Sequence, residues 1–193
     1  MTLKLYFHPL SSFCHKALIA LYEMGAPFEP VIVDLGEPTS RAAFARVWPL
    51  EKFPVLRDET RGHTVPESTT IIEYLDAFHG HGLIPRDREL AWQARMWDRF
   101  SDNYVHIPMQ KINSEHFRPA EGHDPVGATQ ARELIHRAYA ILDRHMEKRT
   151  WAVGEAFTLA DCAAAPALFY ANLVAPIGSA GPAVEVAAAV NCV

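Results

Sequence analysis

The stretch Tyr6-Phe7-His8-Pro9-Leu10-Ser11-Ser12-Phe13-Cys14-His15-Lys16-Ala17-Leu18-Ile19-Ala20-Leu21 decides how this chain is read. At its start, Leu3 to Phe7 reads as a short buried strand, stopped by Pro9, which cannot donate to a ladder. At its end, Cys14, Ala17, Leu18 and Leu21 fall at i, i+3, i+4 and i+7, one face of a helix. Gly25 and Pro27 supply the expected punctuation at the helix C-terminus. Ser11-Ser12-Phe13-Cys14 therefore lies between a strand and the N-terminus of a helix. Unpaired N–H groups and the positive end of the helix dipole meet there, and both stabilise a thiolate. A serine at this place can donate a hydrogen bond to a thiolate that arrives with a substrate. Ser11 or Ser12 can equally do no more than cap the helix, a commonplace role for serine before an apolar-periodic run.

Outward from this stretch, Phe28 to Val33 reads as a second strand, parallel to the first because a helix joins them, with a right-handed crossover. Ser40 to Val47 suits a short second helix. Phe53-Pro54-Val55-Leu56 is a strand opened by proline, and Arg61-Gly62-His63 turns the chain into a short strand at Thr64-Val65. Ile71, Tyr74, Leu75 and Phe78 repeat the helical i, i+3, i+4, i+7 spacing. The order strand-helix-strand, then strand-strand-helix, is similar to that of a thioredoxin-like α+β domain. Gly80 to Pro85 is a natural linker, which gives expected boundaries of 1–79 for that domain, 80–86 for the linker and 87–193 for an all-α helical bundle. Leu90, Ala94, Trp97 and Tyr104 suggest one long helix that Pro108 kinks or ends. Residues 113 to 127, with Pro119, Gly122, Pro125 and Gly127, are expected to form a loop. Leu134, Ala138, Ile141, Leu142 and His145 trace another helix. Thr158 and Asp161 have capping-box spacing, a folding signal and not a catalytic one.

Composition excludes several function classes. The 193 residues are 49% hydrophobic and 21% charged, enough to bury a core and stay in solution. A net charge of −5, with no Lys/Arg run, gives no electrostatic reason to bind nucleic acid. Cys14, Cys162 and Cys192 are odd in number and far apart, which argues for a reducing compartment, not a disulfide framework. The N-terminal apolar run is too short for a signal peptide, and no apolar stretch approaches the roughly 20 residues of a membrane span. A cytoplasmic protein without membrane or metal partners is expected. His79-Gly80-His81, the nearest approach to a metal-ligand pair, reads as linker.

Two further motifs carry chemistry. In Lys52-Phe53-Pro54-Val55, a proline opening a strand is often cis. In a thioredoxin-like domain this loop faces the helix N-terminus, and the Phe53 N–H and C=O can pair with a peptide-like ligand as an added strand does. An ordinary edge-strand proline is the plainer alternative. Glu67-Ser68 precedes the third helix: Ser68 can cap it, the N–H groups beside it can hold a carboxylate, and Glu67 can meet an ammonium. Together they suit an amino-acid head group, although an acidic residue near a helix N-terminus is also unremarkable.

The segments Tyr6 to Cys14, Phe53-Pro54-Val55-Leu56, Glu67 to Leu75 and Phe157-Thr158-Leu159-Ala160-Asp161, in that order, resemble the glutathione transferase family over residues 1 to about 175. The likeness is to bacterial, serine-type members with a delta-, theta- or zeta-like active-site loop. It implies a cytoplasmic, homodimeric detoxification enzyme that uses glutathione as co-substrate and conjugates its thiolate to a small hydrophobic electrophile. It implies Ser11 as the catalytic serine, with Ser12 a close second. Phe53, with Pro54, would hold the cysteinyl part, Lys52 would reach the glycyl carboxylate, and Glu67 with Ser68 would hold the γ-glutamyl group. Tyr6 is a weaker candidate for the tyrosine that some classes use. Trp97, Phe100, Tyr104 and Met109 are candidates for the electrophile pocket or for plain core, and Asp98 and Asp102 for the glutathione amine. Alternatives on the same fold are a non-catalytic binding or regulatory protein and a glutathione-dependent oxidoreductase, peroxidase, isomerase or dehalogenase. The chain departs from the family at Trp48-Pro49 and in the charge-poor stretch Gly178 to Val193.

Overall fold

The computed structural model describes residues 3–80 and 82–177. It divides into two compact units, Met1–Ile84 and Pro85–Val193. The expectations for Gly178 to Val193, including Cys192, and for His81 fall outside the described residues.

The first unit is a four-stranded mixed sheet in the order β2-β1-β3-β4. β1 (Leu3–Phe7) pairs parallel with β2 (Phe28–Ile32) and antiparallel with β3 (Val55–Asp58), which pairs antiparallel with β4 (His63–Pro66). Strand alternation sends Leu3 and Leu5 to one face, where they pack with Ala17 and Leu21 of α1 (Ser12–Glu23) and Ile71 and Leu75 of α3 (Ser68–Phe78). Tyr6 and Val55 go to the other face, against Phe44 of α2 (Pro38–Val47). This is the thioredoxin-like arrangement. Pro30 is tolerated because β2 is an edge strand. Just past the C-cap of α1, Gly25 has a φ of 58°, the left-handed conformation that glycine adopts without a Cβ penalty.

Several elements start elsewhere than the sequence pattern suggests. α2 begins at Pro38, because the Glu37 carboxylate caps it by accepting from the N–H groups of Thr39 and Ser40. β3 begins one residue after Pro54, at Val55. Ser68 does not cap α3: it is the first helical residue, Glu67 is the N-cap position, and no side-chain oxygen caps that end.

Asp58 locks the β3–β4 hairpin. Buried at the end of β3, its Oδ1 accepts from the N–H groups of Thr60 and Arg61, while Oδ2 accepts from Tyr74 Oη at 2.8 Å and meets His79 Nε2 at 3.0 Å. Burial works to raise this carboxyl. The bonds from Arg61, Tyr74 and His79, with the His79 charge, outweigh it and hold the group below the usual carboxylate range. Burial and Asp58 together push the Tyr74 hydroxyl up to about 12.

The second unit is helical: α4 (Arg88–Ser101), α5 (Ile107–Ser114), α6 (Pro125–Met146) and α7 (Leu159–Val174). Pro108 neither ends nor breaks its helix. A π turn at Asp102–His106 joins α4 to α5, with the Ile107 N–H reaching back to Asp102 O. The wider turn relieves the clash of a proline ring with the carbonyl four residues earlier. The connection expected at 113–127 is shorter, since α5 runs to Ser114 and α6 starts at Pro125; two 3₁₀ turns, Glu115–Phe117 and Ala120–Gly122, fill it. Lys111 clamps that segment through Asp124 at 2.6 Å and Glu115 at 3.5 Å. Ile135, Ala138 and Leu142 of α6 pack with Val105, Ile112, Ala167 and Leu168. Among the described residues no helix is long and apolar enough to cross a membrane.

The capping box at α7 is formed. Asp161 accepts from Thr158 N–H at 2.8 Å and from Thr158 Oγ1 at 3.0 Å, and also from Ala152 N–H at 2.8 Å. It thus ties the preceding loop to the helix as well as capping it.

Two stability outcomes follow from these networks. Asp161→Ala leaves interior N–H groups without an acceptor, so urea denaturation should show a loss of about 2–4 kcal/mol with the function of folded molecules unchanged. Asp58 titrates lower when folded than when unfolded, so its stabilisation is present at neutral pH and is lost as pH falls through the folded value. The stability gap between wild type and Asp58→Asn should therefore be widest near neutrality and narrow below about pH 4.

Candidate functional site

Sheet register gathers the candidate residues. Tyr6 pairs with Val55, so continuing β1 and β3 by two residues sets His8 beside Phe53. Val55 pairs with Pro66, so the same extension sets Phe53 beside Ser68. The Ser11 turn, the Phe53-Pro54 loop and the start of α3 thus emerge side by side at one end of the sheet. His8 and Phe53 do meet, their rings stacked at 5.8 Å and 19°.

Ser11 is the N-cap of α1. Its Oγ accepts from the Cys14 N–H at 3.4 Å, a long bond. The turn before it closes through Ser11 N–H to His8 O at 3.0 Å, and His15 Nε2 lies 2.6 Å from Pro9 O. Ser11 is half-buried. Ser12, in the first helical position, is only 5% exposed. The two adjacent serines are therefore unequal: a ligand can reach the first hydroxyl more readily than the second.

Cys14 is fully buried, on the apolar face of α1. Burial pushes its thiol up to about 11, against the lowering effect of hydrogen bonds from Ser11 and the His8 backbone. A helix N-terminus lowers a thiol pKa only where the sulfur remains accessible to solvent, and here desolvation wins.

The Phe53–Pro54 peptide is cis. Pro54 is buried, Phe53 half-buried and Lys52 exposed. Phe53 lies outside the registered pairs of β3, so its N–H and C=O are not committed to the sheet ladder. Its ring stands 6.4 Å from Phe44.

Glu67 is exposed, with φ 69° and ψ 122°, a conformation that a non-glycine residue rarely adopts. It leads into α3, whose first turn has no side-chain cap. Behind that turn, fully buried Lys16 of α1 donates to Thr69 Oγ1 at 2.8 Å, so the N-terminal turns of α1 and α3 are tied together.

The remaining candidates each have defined surroundings within their own unit. Tyr6 is directed onto Phe44, centroids 5.9 Å apart, as part of the core under α2. Met109 is 4% exposed and belongs to the helical core. Trp97 and Phe100 pack against that core, and Trp97 also stacks on His145 at 3.8 Å. Tyr104 is 47% exposed and stands 5.2 Å from Phe100, the most accessible of the four. Asp98 and Asp102 are buried and share Arg99. Among the described residues no group of three or more His, Cys, Asp or Glu side chains is placed to hold a metal ion.

Sequence reasoning missed three features: the contacts of His8 with Leu10 and Phe53, the buried Lys16, and positive φ at Glu51 (52°) just ahead of Lys52. The stop of β1 at Pro9 could have flagged His8. No signal marks a left-handed glutamate, since tertiary context imposes it.

Residues 5–82 match the glutathione S-transferase N-terminal domain, and residues 91–185 match the glutathione S-transferase C-terminal domain. The chain belongs to the glutathione S-transferase family. A solved glutathione S-transferase from Methylobacillus flagellatus, with glutathione bound, is 30% identical; the match covers 89% of this chain and 83% of that one, with a TM-score of 0.81. Another, from Methylobacterium radiotolerans in complex with glutathione sulfonate, is 26% identical over 99% of this chain and 91% of that one, with a TM-score of 0.82. Among curated proteins, elongation factor 1-gamma of Equus caballus is 31% identical over 164 residues, 81% of this chain. The chain spans 36% of the length of that relative.

Within the family fold, the inert character of Cys14 can be checked directly. Iodoacetamide at pH 8 should leave the Cys14 peptide unmodified in the native protein and label it after denaturation, as read by peptide mass spectrometry. Fast native labelling would mean that the thiol is accessible and activated.

Proposed function

We propose that this glutathione S-transferase family member binds glutathione at the end of the sheet and conjugates its thiolate to a hydrophobic electrophile, with Ser11 as the thiolate donor. The observation that carries the reading is the alignment of the Ser11 turn, the cis Phe53–Pro54 loop and the uncapped α3 N-terminus in one register. Glutathione in the Methylobacillus flagellatus relative supports the choice of ligand. In this reading Phe53 pairs through its backbone with the cysteinyl residue, as an added strand does. The α3 N-terminus takes the γ-glutamyl carboxylate, and Glu67 the ammonium beside it. Lys52 reaches the glycyl carboxylate.

The thiol loses its proton to solvent, the sulfur attacks an electrophilic carbon, and the leaving group departs with its electron pair. A free thiol titrates near ~8.5, so lowering it by two units takes about 2.7 kcal/mol. A hydrogen bond from Ser11 Oγ to the thiolate contributes about 1.5–3 kcal/mol. The α1 dipole adds about 0.3–1 kcal/mol. These terms suffice for a thiolate at neutral pH. An oxidoreductase working through Cys14 is disfavoured by the burial and raised pKa of that thiol.

A second reading is a non-catalytic binding module on the same fold, and the likeness to elongation factor 1-gamma is the observation that favours it. One set of measurements separates the two. On the conjugation reading, glutathione raises the melting temperature and chlorodinitrobenzene is turned over. Ser11→Ala should lower kcat by ~10²–10³ while the glutathione Kd changes little. The thiolate absorbance of the bound ligand should move to higher pH in that variant. Ser12→Ala should be mild. Glutathione binding without turnover of chlorodinitrobenzene, cumene hydroperoxide or a haloalkane would favour the binding module. Absence of any thermal shift at millimolar glutathione would remove the glutathione reading itself.

A further inference from the structure

We infer that His8 is a positioning residue for the thiol chemistry: its side chain couples the Ser11 turn to the Phe53 loop and so fixes the donor hydroxyl relative to the backbone that aligns the cysteinyl residue. The inference rests on the glutathione reading above and assigns a role to a residue outside the Ser11, Phe53 and Glu67 set.

Three contacts carry it. The His8 carbonyl accepts from Ser11 N–H at 3.0 Å, closing the turn. His8 Nδ1 accepts from Leu10 N–H at 3.2 Å, holding the middle of the same turn. The ring then lies nearly parallel to that of Phe53, with centroids 5.8 Å apart. One imidazole thus grips the turn with its edge and the cis-proline loop with its face.

The turn needs such a tie. Pro9 and Leu10 are exposed, Leu10 at 76%, so packing does little to hold them. Ser11 must nevertheless present its hydroxyl at a fixed distance from a sulfur that Phe53 positions from a different loop. A misplacement of about 1 Å at such a point can cost ~10²-fold in rate. Histidine is suited to both tasks. Phenylalanine could stack but not accept a hydrogen bond, and asparagine could accept from the amide two residues on but not stack.

The test uses His8→Phe, His8→Asn and His8→Ala in the full chain. It measures kcat with chlorodinitrobenzene, glutathione Kd by calorimetry, and the titration of bound thiol by its thiolate absorbance. The expected result is a glutathione Kd within about twofold of wild type in all three, because Phe53, Glu67 and Ser68 supply the affinity. The kcat should fall about tenfold in His8→Phe and in His8→Asn, each keeping half of the coupling. It should fall toward ~10²-fold in His8→Ala, with the bound thiol titrating at higher pH in the same order. Wild-type kcat and thiol titration in all three would overturn the inference. So would a rise in KM for glutathione with kcat intact, which would make His8 a binding residue. Loss of the fold in both conservative variants would make it structural and overturn it as well. If wild type itself does not bind glutathione, the parent reading fails and takes this one with it, an outcome visible before any variant is made.

Discussion

The pairing of β3 with β1 on one side and β4 on the other is the constraint on which the fold of the first unit and its candidate site depend. Tyr6 opposite Val55, and Val55 opposite Pro66, fix where three separate connections leave the sheet. A slip of one residue would do two things at once. It would turn Leu3 and Leu5 away from α1 and α3, and it would move Phe53 out of line with His8 and Ser68. The apolar faces on both sides of the sheet forbid that slip, since Leu5, Leu56, Ile71 and Leu75 fill one layer and Val55 and Phe44 the other. Burial of the core and alignment of the site are therefore the same requirement, met by one hydrogen-bond register.

The local devices around that register hold backbone where the sheet alone would not. Phe53 lies outside the ladder, and Glu67 turns through positive φ to start α3 without a side-chain cap. Both lie at the same end of the sheet. At the opposite end, Asp58 does the reverse, consuming the Thr60 and Arg61 amides and the Tyr74 hydroxyl in one satisfied network. A buried polar group with all its partners made rigidifies a hairpin. The two ends of one four-stranded sheet thus differ in how their loops are held.

Within the Ser11 to Cys14 segment, burial distinguishes groups that sequence places almost equally. The helix dipole acts on all of them, yet Cys14 is desolvated, Ser12 is nearly so, and Ser11 remains half-exposed. Of the three polar groups in this segment, the Ser11 hydroxyl is the one left accessible to solvent. In the helical unit the same logic governs Pro108 and Asp161. The π turn absorbs a proline that would otherwise clash, and Asp161 satisfies amides both at a helix end and in the loop behind it.

The sequence by itself determined the element order, the parallel first pair of strands, the capping box at Thr158 and Asp161, and the family. Those features rest on short-range patterns: period 2 or 3.6 in apolar residues, proline and glycine punctuation, and a side-chain oxygen three residues from its partner. It also marked Ser11, Phe53, Glu67 and Ser68 as chemically interesting, because each sits at or beside the start of a helix or strand. Only the tertiary structure decided that α5 continues past Pro108, that Tyr6 and Met109 are core, that Ser68 leaves α3 uncapped, and that His8 rests on Phe53. Each of these depends on contacts between segments distant in the chain, or on a neighbouring turn that widens to relieve a clash. A one-dimensional pattern reports which face a residue belongs to, but not what stands opposite it. What stands opposite is set by strand register and helix packing, which exist only once the whole core has closed.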